Sequence, residues 1–341
     1  MRKTFLLLFL CLFSNISASF AFKSAGYSNP KPYLNAHKVT KWGFFAHQRI
    51  NQLAIFTLPP EMISFYKTNL YYIVEHSVAP DRRRYAVQDE APKHYIDLDS
   101  YGDSAIYKLP HYWNDAVEKF SEDSLFKHGI VPWHIQFMKF QLTKAFEEKN
   151  AQKILKVSAE IGHYIADANV PLHTSSNYNG QKTNQVGIHG FWESRLPELF
   201  ASNYDFLVGS ATYEKSVSKR TWEAVSHANA CLDSVFAFEK HLNASTNPSK
   251  KYSIEEHNGQ NIKMYAKDYS KKYHEALRGQ VERQMRRSIK MTGDFWYTAW
   301  IDAGQPDLSN IQFVPSAKEK QADEKEQKTW LQKLFKARDE N

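Results

Sequence analysis

The chain has 341 residues, 42% of them hydrophobic and 24% charged, a balance that excludes wholesale disorder and leaves room for one large domain or two ordinary ones. Its net charge of +7 suits an anionic partner, whether a membrane surface or a polynucleotide, without choosing between them. Aromatic residues make up 14%, enough to fill a helical core and still leave rings for a substrate.

Residues 1–21 read as an export signal. Arg2 and Lys3 precede an apolar run from Phe5 to Phe13, and Ser19 and Ala21 are the small residues a signal peptidase prefers. The run is too short for an ordinary membrane span and has no equal further along. Cleavage after Ala21 predicts a soluble, secreted or periplasmic protein. Cys11 lacks a lipidation context. Its removal leaves Cys231 alone, so an intrachain disulfide is impossible and Cys231 is assigned no chemistry.

Residues 22–41, with Asn29-Pro30 and Lys31-Pro32, read as a linker or propeptide. From Trp42 the pattern changes. Ile50, Leu53, Ala54 and Phe56 predict an amphipathic helix ending near Leu58-Pro59-Pro60, and a second helix is expected over 61–77. The interval from Val78 to Trp113, broken by Pro80, Pro92, Gly102 and Pro110, predicts a long loop with short helical turns. Further helices are expected over 133–148, 151–169, 189–199, 213–240 and 261–292, with a rim loop over 174–188 that contains Asn179-Gly180. Alternating β-branched runs are too scarce for a large sheet. The reading is one all-α domain over 42–312, followed by a charged tail over 313–341. Trp330, Leu331, Leu334 and Phe335 give that tail a small apolar stripe, suited to a solvated, partly formed helix or to weak docking on an anionic surface.

The strongest local signal is His163-x-x-x-Asp167, one helical turn apart, so both side chains can face one metal ion. His173 follows after Val170-Pro171-Leu172, and His189-x-x-x-Glu193 repeats the four-residue spacing. These nitrogen and oxygen ligands suit zinc and need no cysteine. The alternative is unconnected helix-surface polarity, each residue capping or hydrogen bonding on its own. His134 is expected to be packed rather than ligating, and His76 to stand beside the ligands rather than among them. The Arg82-Arg83-Arg84 run fits either phosphate contact or a solvated turn.

With these motifs the chain resembles the zinc-dependent phospholipase C and S1/P1 nuclease superfamily over most of residues 42–305. The resemblance rests on Trp42-Gly43-Phe44-Phe45-Ala46-His47, Asp81, His94-Tyr95, His163-x-x-x-Asp167-x-x-x-Pro171-Leu172-His173 and His189-x-x-x-Glu193. Residues 295–305 look like that family's last packing helix. The resemblance implies a phospholipase C or P1 nuclease-like helical fold and a centre of three zinc ions. Asp81, His94, His163 and Asp167 would hold one; His173, His189 and Glu193 another; and Trp42 main-chain atoms, His47 and Asp167 the third, with Asp167 bridging. A free amine at Trp42 requires a second cut after Lys41, a plausible site for a trypsin-like processing protease. Asp89, Glu90, Asp97 and Asp99 are alternatives to Asp81, whose other role would be a turn or an ion pair with the arginine run.

The implied chemistry is attack of metal-activated water on phosphorus, with Asp81 orienting the water or accepting its proton. Glu193, the short interval between His173 and His189 and the lack of disulfides resemble the phospholipases, which act on a phospholipid or membrane surface. The close Trp42-to-His47 spacing resembles the nucleases, which cut single-stranded nucleic acid. A nuclease would need base-stacking rings beside the site; Tyr164, Phe191 and Trp192 are candidates, though core packing is the first expectation for each. A third reading is a catalytically inactive, zinc-stabilised binding protein. Nothing in the sequence calls for an obligate protein partner.

Overall fold

The computed structural model describes residues 44–84, 87, 89–257, 260–313 and 321. The export signal, the linker, Trp42 and the tail's apolar stripe at Trp330, Leu331, Leu334 and Phe335 lie outside the described residues.

Helix α1 (Phe44–Ile55) turns Phe44, His47, Ile50, Asn51, Ala54 and Ile55 inward at three- and four-residue spacing. Pro60 opens α2 (Pro60–Thr68), where a missing N–H leaves no bond unmade. The helix expected over 61–77 is two, because the Asn69 side chain donates back to Phe65 O (2.8 Å) and breaks the run before α3 (Leu70–His76). The interval after it is a loop with short turns, as the proline spacing predicts. It holds α4 (Ala79–Arg83), 3₁₀ turns at Ala91–His94 and Leu98–Tyr101, and α5 (Ala105–Lys108). Two helices not anticipated follow, α6 (Trp113–Phe120) and α7 (Glu122–His128), the second capped by Ser121.

Next come α8 (Val131–Glu147) and α9 (Ala151–Ala168), the latter capped by Asn150, whose side chain accepts from Lys153 N (3.0 Å). Every residue of α9 from Ser158 to Ala168 is buried, so this second half runs through the core without a solvent face, while Gln152, Lys153 and Lys156 keep the first half at the surface. A 3₁₀ turn (Pro171–Thr174), α10 (Ile188–Gly190), a π-helical turn (Phe191–Arg195) and α11 (Leu196–Phe200) precede the long α12 (Val217–Ser245).

The helix expected over 261–292 is the main correction. Strand β1 (Tyr252–His257) pairs antiparallel with β2 (Gln260–Tyr265), Tyr252 opposite Tyr265 and Ile254 opposite Lys263. Helix α13 (Lys267–Ala276) then stops before Gly279, whose φ of 74° belongs to the left-handed region, and α14 (Gln280–Asp302) starts anew. The fold is mostly helical, with this one hairpin among the described residues.

Of residues 295–305, Phe295, Trp296, Thr298, Ala299 and Trp300 pack inward, while Asp302, Gly304 and Gln305 are exposed. Trp296 is fully buried, stacks on Tyr66 (4.9 Å) and donates to Ser158 O of α9 (3.0 Å). Helices α1 and α9 meet at Gly162, where a Cβ would lie 2.2 Å from Asn51 Oδ1. Asn51 is itself fully buried and tied to His47 O (3.1 Å), so it cannot step aside. Cys231 is part-buried and unpaired, and burial pushes its thiol pKa up, away from reactivity. No described helix is long and apolar enough to cross a membrane.

Candidate metal centre

Helix α9 supplies His163 and Asp167 from adjacent turns of its buried C-terminal half. Helix α1, held close by the Gly162 contact, brings His47 over His163, their rings stacked at 4.0 Å. Helix α4 presents Asp81, and the 3₁₀ turn after it presents His94. His173 comes from the turn following α9, His189 and Glu193 from α10 and the π-helical turn. Eight of the expected ligands thus converge in four overlapping groups: His47, Asp81 and His163; His94, His163 and Asp167; His173, His189 and Glu193; His47, Asp167 and Glu193. Trp42 lies outside the described residues.

Asp167 is the hinge of the arrangement. Its Oδ2 stands 2.9 Å from His94 Nδ1 and 3.3 Å from His163 Nε2, while Oδ1 stands 3.5 Å from both His47 Nε2 and His173 Nδ1. Glu193 reaches His189 Nε2 (2.7 Å) and His173 Nε2 (3.5 Å) with one oxygen and His47 Nε2 (3.3 Å) with the other. The cluster is open on the side of Asp81 and His189, which keep 23% and 21% of their side-chain surface exposed.

Whether these groups fit a cation can be judged from their hydrogen positions. His163 Nδ1 faces Ser77 O (2.8 Å) and His173 Nδ1 faces His94 O (2.7 Å). A carbonyl only accepts, so both Nδ1 atoms carry the proton and, in the neutral ring, both Nε2 atoms carry the lone pair. Yet His163 Nε2 is 3.1 Å from His94 Nδ1 and 3.8 Å from Asp81 Oδ1, and His173 Nε2 is 2.8 Å from His189 Nε2. Lone pairs and carboxylates converge on the same points. Protons relieve this poorly, because burial, followed by neighbouring imidazoles for His94, lowers the pKa of both His94 and His163. Burial pushes Asp167 up to about 7. Burial also opposes the charge on Glu193, but His189 and the hydrogen bonds from surrounding imidazoles hold it well below the usual range. A dication matches this all-nitrogen-and-oxygen donor set, which is of the zinc type.

The other expectations separate cleanly. Asp81 has the imidazoles of His94 (3.9 Å) and His163 (3.8 Å) as its neighbours in the centre. Two of the three arginines are engaged elsewhere: Arg82 approaches Glu75 (3.8 Å) and the Phe44 ring (5.9 Å), and Arg83 pairs with Glu160 (2.7 Å), whereas, after burial and His163, the charge of Arg84 helps to lower the pKa of His94. Asp99 accepts from Ser176 N (2.8 Å), and Asp97, pushed up to about 6 by burial and then by Asp99, is not in the cluster. His76 stacks on Tyr72 (3.7 Å) and His134 packs edge-on against Tyr164 (4.5 Å). Tyr164, Phe191 and Trp192 are all core residues, at most 3% exposed.

Two supporting networks escaped the sequence reading. Around α9, Arg83 lies between Glu160 (2.7 Å) and Glu90 (3.4 Å), and Glu90 accepts from Tyr164 Oη (2.5 Å) and Lys93 Nζ (3.1 Å). Under the 174–188 loop, Gln185 donates to buried Glu239 (2.6 Å), which also accepts from Tyr269 Oη (2.8 Å) and pairs with Lys251 (2.8 Å). Tyr265 of β2 stacks on Phe191 (3.8 Å), between the ligands His189 and Glu193. One local signal for the hairpin existed: Asn258-Gly259 between Tyr252-x-Ile254 and Ile262-x-Met264.

No family model and no curated protein matches the chain. Among solved structures, the chain is similar to the alpha toxin from Clostridium absonum at 12% identity and a TM-score of 0.46, over 81% of this chain and 68% of that one. It is also similar to the Clostridium perfringens alpha-toxin isolated from avian strain SWCP at 15% identity and a TM-score of 0.47, over the same shares of each chain.

Proposed function

We propose that the chain is a zinc-dependent phosphodiester hydrolase whose substrates are phospholipids, cleaved to diacylglycerol and a phosphorylated headgroup. The observation that carries the hydrolase reading is the convergence of imidazole lone pairs and carboxylates on shared points in a cluster open on one side. Asp81, His94, His163 and Asp167 would hold one ion, His173, His189 and Glu193 a second, and His47 with Asp167 a third, joined by main-chain atoms of Trp42. Zinc held there supplies Lewis acidity toward phosphoryl oxygens and lowers the pKa of water.

The chain's own residues set the rest. Ser77 O and His94 O lock the tautomers of His163 and His173, so these rings act as ligands and not as proton shuttles. Asp81, the most exposed carboxylate of the cluster, is placed to orient an attacking water and accept its proton. Glu193 supports the phospholipid assignment through the family pattern noted above, and its two oxygens reach His47 (3.3 Å) and His189 (2.7 Å). Tyr164, Phe191 and Trp192 are buried and offer no face to a base, so the ring a nuclease would have to use beside the centre is Tyr178, 46% exposed and edge-on to His189 (6.0 Å). Signal removal after Ala21 and a second cut after Lys41 complete the proposal, and N-terminal sequencing of exported protein tests both.

The deciding experiment offers zinc-loaded protein phospholipid vesicles and single-stranded DNA side by side, with products resolved by mass. Diacylglycerol with phosphorylated headgroup is the expected result. Nucleotides with 5′-phosphates and no lipid cleavage would replace phospholipase by nuclease, and turnover of neither by metal-loaded protein would favour the binding-protein reading.

A further inference from the structure

Glu90 is 2% exposed and carries a charge that burial opposes; Arg83, the Tyr164 hydroxyl and Lys93 bring its pKa down. A buried carboxylate held in this way is costly to place unless all its partners are in position together. Those partners are distributed in a telling manner. Arg83 lies on α4, two residues after Asp81. Glu90 immediately precedes the 3₁₀ turn that ends in His94. Tyr164 follows His163 on α9, and Glu160, the other partner of Arg83, is one turn earlier on that helix. Apart from Glu90–Lys93, which stays within the segment ending in His94, each contact of the network therefore ties one ligand-bearing element to another. Glu90 Oε1 also lies 3.9 Å from His94 Nε2, which has no hydrogen-bond partner. That is too long for a hydrogen bond but close enough for the negative charge to favour a proton on Nε2, the tautomer in which Nδ1 offers its lone pair toward Asp167 and His163.

We propose that Glu90 is a positioning residue for the half of the centre formed by Asp81, His94, His163 and Asp167, holding its three supporting elements in register and orienting His94. The proposal rests on the metal-centre reading above. It assigns no role to Glu90 in the His173, His189 and Glu193 half, which its contacts do not reach.

The test is zinc binding, not turnover. Zinc is titrated against a chromophoric chelator into the processed protein, into Glu90→Gln, and into Glu90→Gln combined with either His189→Ala or His163→Ala. Glu90→Gln should weaken zinc by roughly 10–100-fold in the His189→Ala background, where Asp81, His94, His163 and Asp167 all remain, and leave affinity unaltered in the His163→Ala background. Tyr164→Phe, which removes one hydroxyl and keeps the ring, should act in the same direction by a smaller factor, and it serves where Glu90→Gln folds poorly. Equal weakening in both backgrounds would reduce Glu90 to a general structural role and overturn the proposal. So would unaltered affinity for both Glu90→Gln and Tyr164→Phe in a chain that binds zinc. If the unsubstituted chain binds no zinc, the metal-centre reading fails first and this inference fails with it.

Discussion

The two halves of the centre are supported in different ways. Asp81, His94, His163 and Asp167 sit on a core helix and two short elements linked by the Arg83–Glu90–Glu160–Tyr164 network, and His163 and Asp167 are at most 1% exposed. His173 and His189 flank the 174–188 loop, which is internally bonded through Asn177, Asn179 and Gln181 and anchored to the body through Gln185 and Glu239. The first half is set by packing that also holds the fold together. The second is braced chiefly by a loop's own hydrogen bonds and one buried anchor, and it joins the first through His173, whose Nδ1 donates to His94 O (2.7 Å).

Removing what the halves share should have the largest effect. Asp167→Asn is expected to abolish zinc binding at more than one position and to lower activity beyond the ~10–100-fold typical of losing a group that only supports a ligand. Zinc content by elemental analysis, alongside turnover, checks this; full zinc content in the variant would break the picture of Asp167 as hinge. Chelation comes next. Because an ion bound only by the folded state stabilises by RT ln(1 + [L]/Kd), zinc at 1,000 times its Kd should add about 4 kcal/mol. Calorimetry with and without chelator reads that difference as a fall in Tm.

The loop anchor gives a smaller and more local effect. Glu239→Gln should loosen zinc in the His173, His189 and Glu193 half by about 10-fold and leave the other half untouched, the mirror image of Glu90→Gln. Titration in the His163→Ala and His189→Ala backgrounds separates the two, and an effect on both halves would dissolve the distinction. A further effect, on stability rather than on zinc, concerns pH. Burial, reinforced by Lys93 and Arg83 against the pull of Glu90, lowers His134 to about 3. The folded state then binds fewer protons than the unfolded one between about 6.5 and about 3. Stability is fully present above that window and falls as the pH drops through it, by at most ~1.4 kcal/mol per pH unit. His134→Phe should flatten that part of the acid unfolding curve measured in chelator, and an unchanged slope would show that His134 does not titrate in this way.

The site was more legible in the sequence than its supports. His163 and Asp167, like His189 and Glu193, are four residues apart, so helical periodicity alone brings each pair together. Asp81 and His94 needed the family resemblance, since nothing local links a loop aspartate to a histidine thirteen positions on. The supports left no periodic signal at all. Arg83 meets Glu160 across 77 residues and Gln185 meets Glu239 across 54, distances over which spacing carries no information. The hairpin was missed for another reason: Ile262 and Met264 continue into a run of charged and aromatic residues that also fits a helix, and the longer pattern outweighed Asn258-Gly259.

Gly162 sets a distance as well as permitting a contact. Because nothing larger than hydrogen fits against Asn51 there, the separation of α1 and α9 is fixed one residue before His163, and with it the gap between His47 and the ligands on α9. If the centre holds metal as proposed, that gap would bear on the size of ion it accommodates. A methyl group added at Gly162 would meet Asn51 and none of the candidate ligands, yet it would widen the gauge, so metal preference would then depend partly on the packing of two helices.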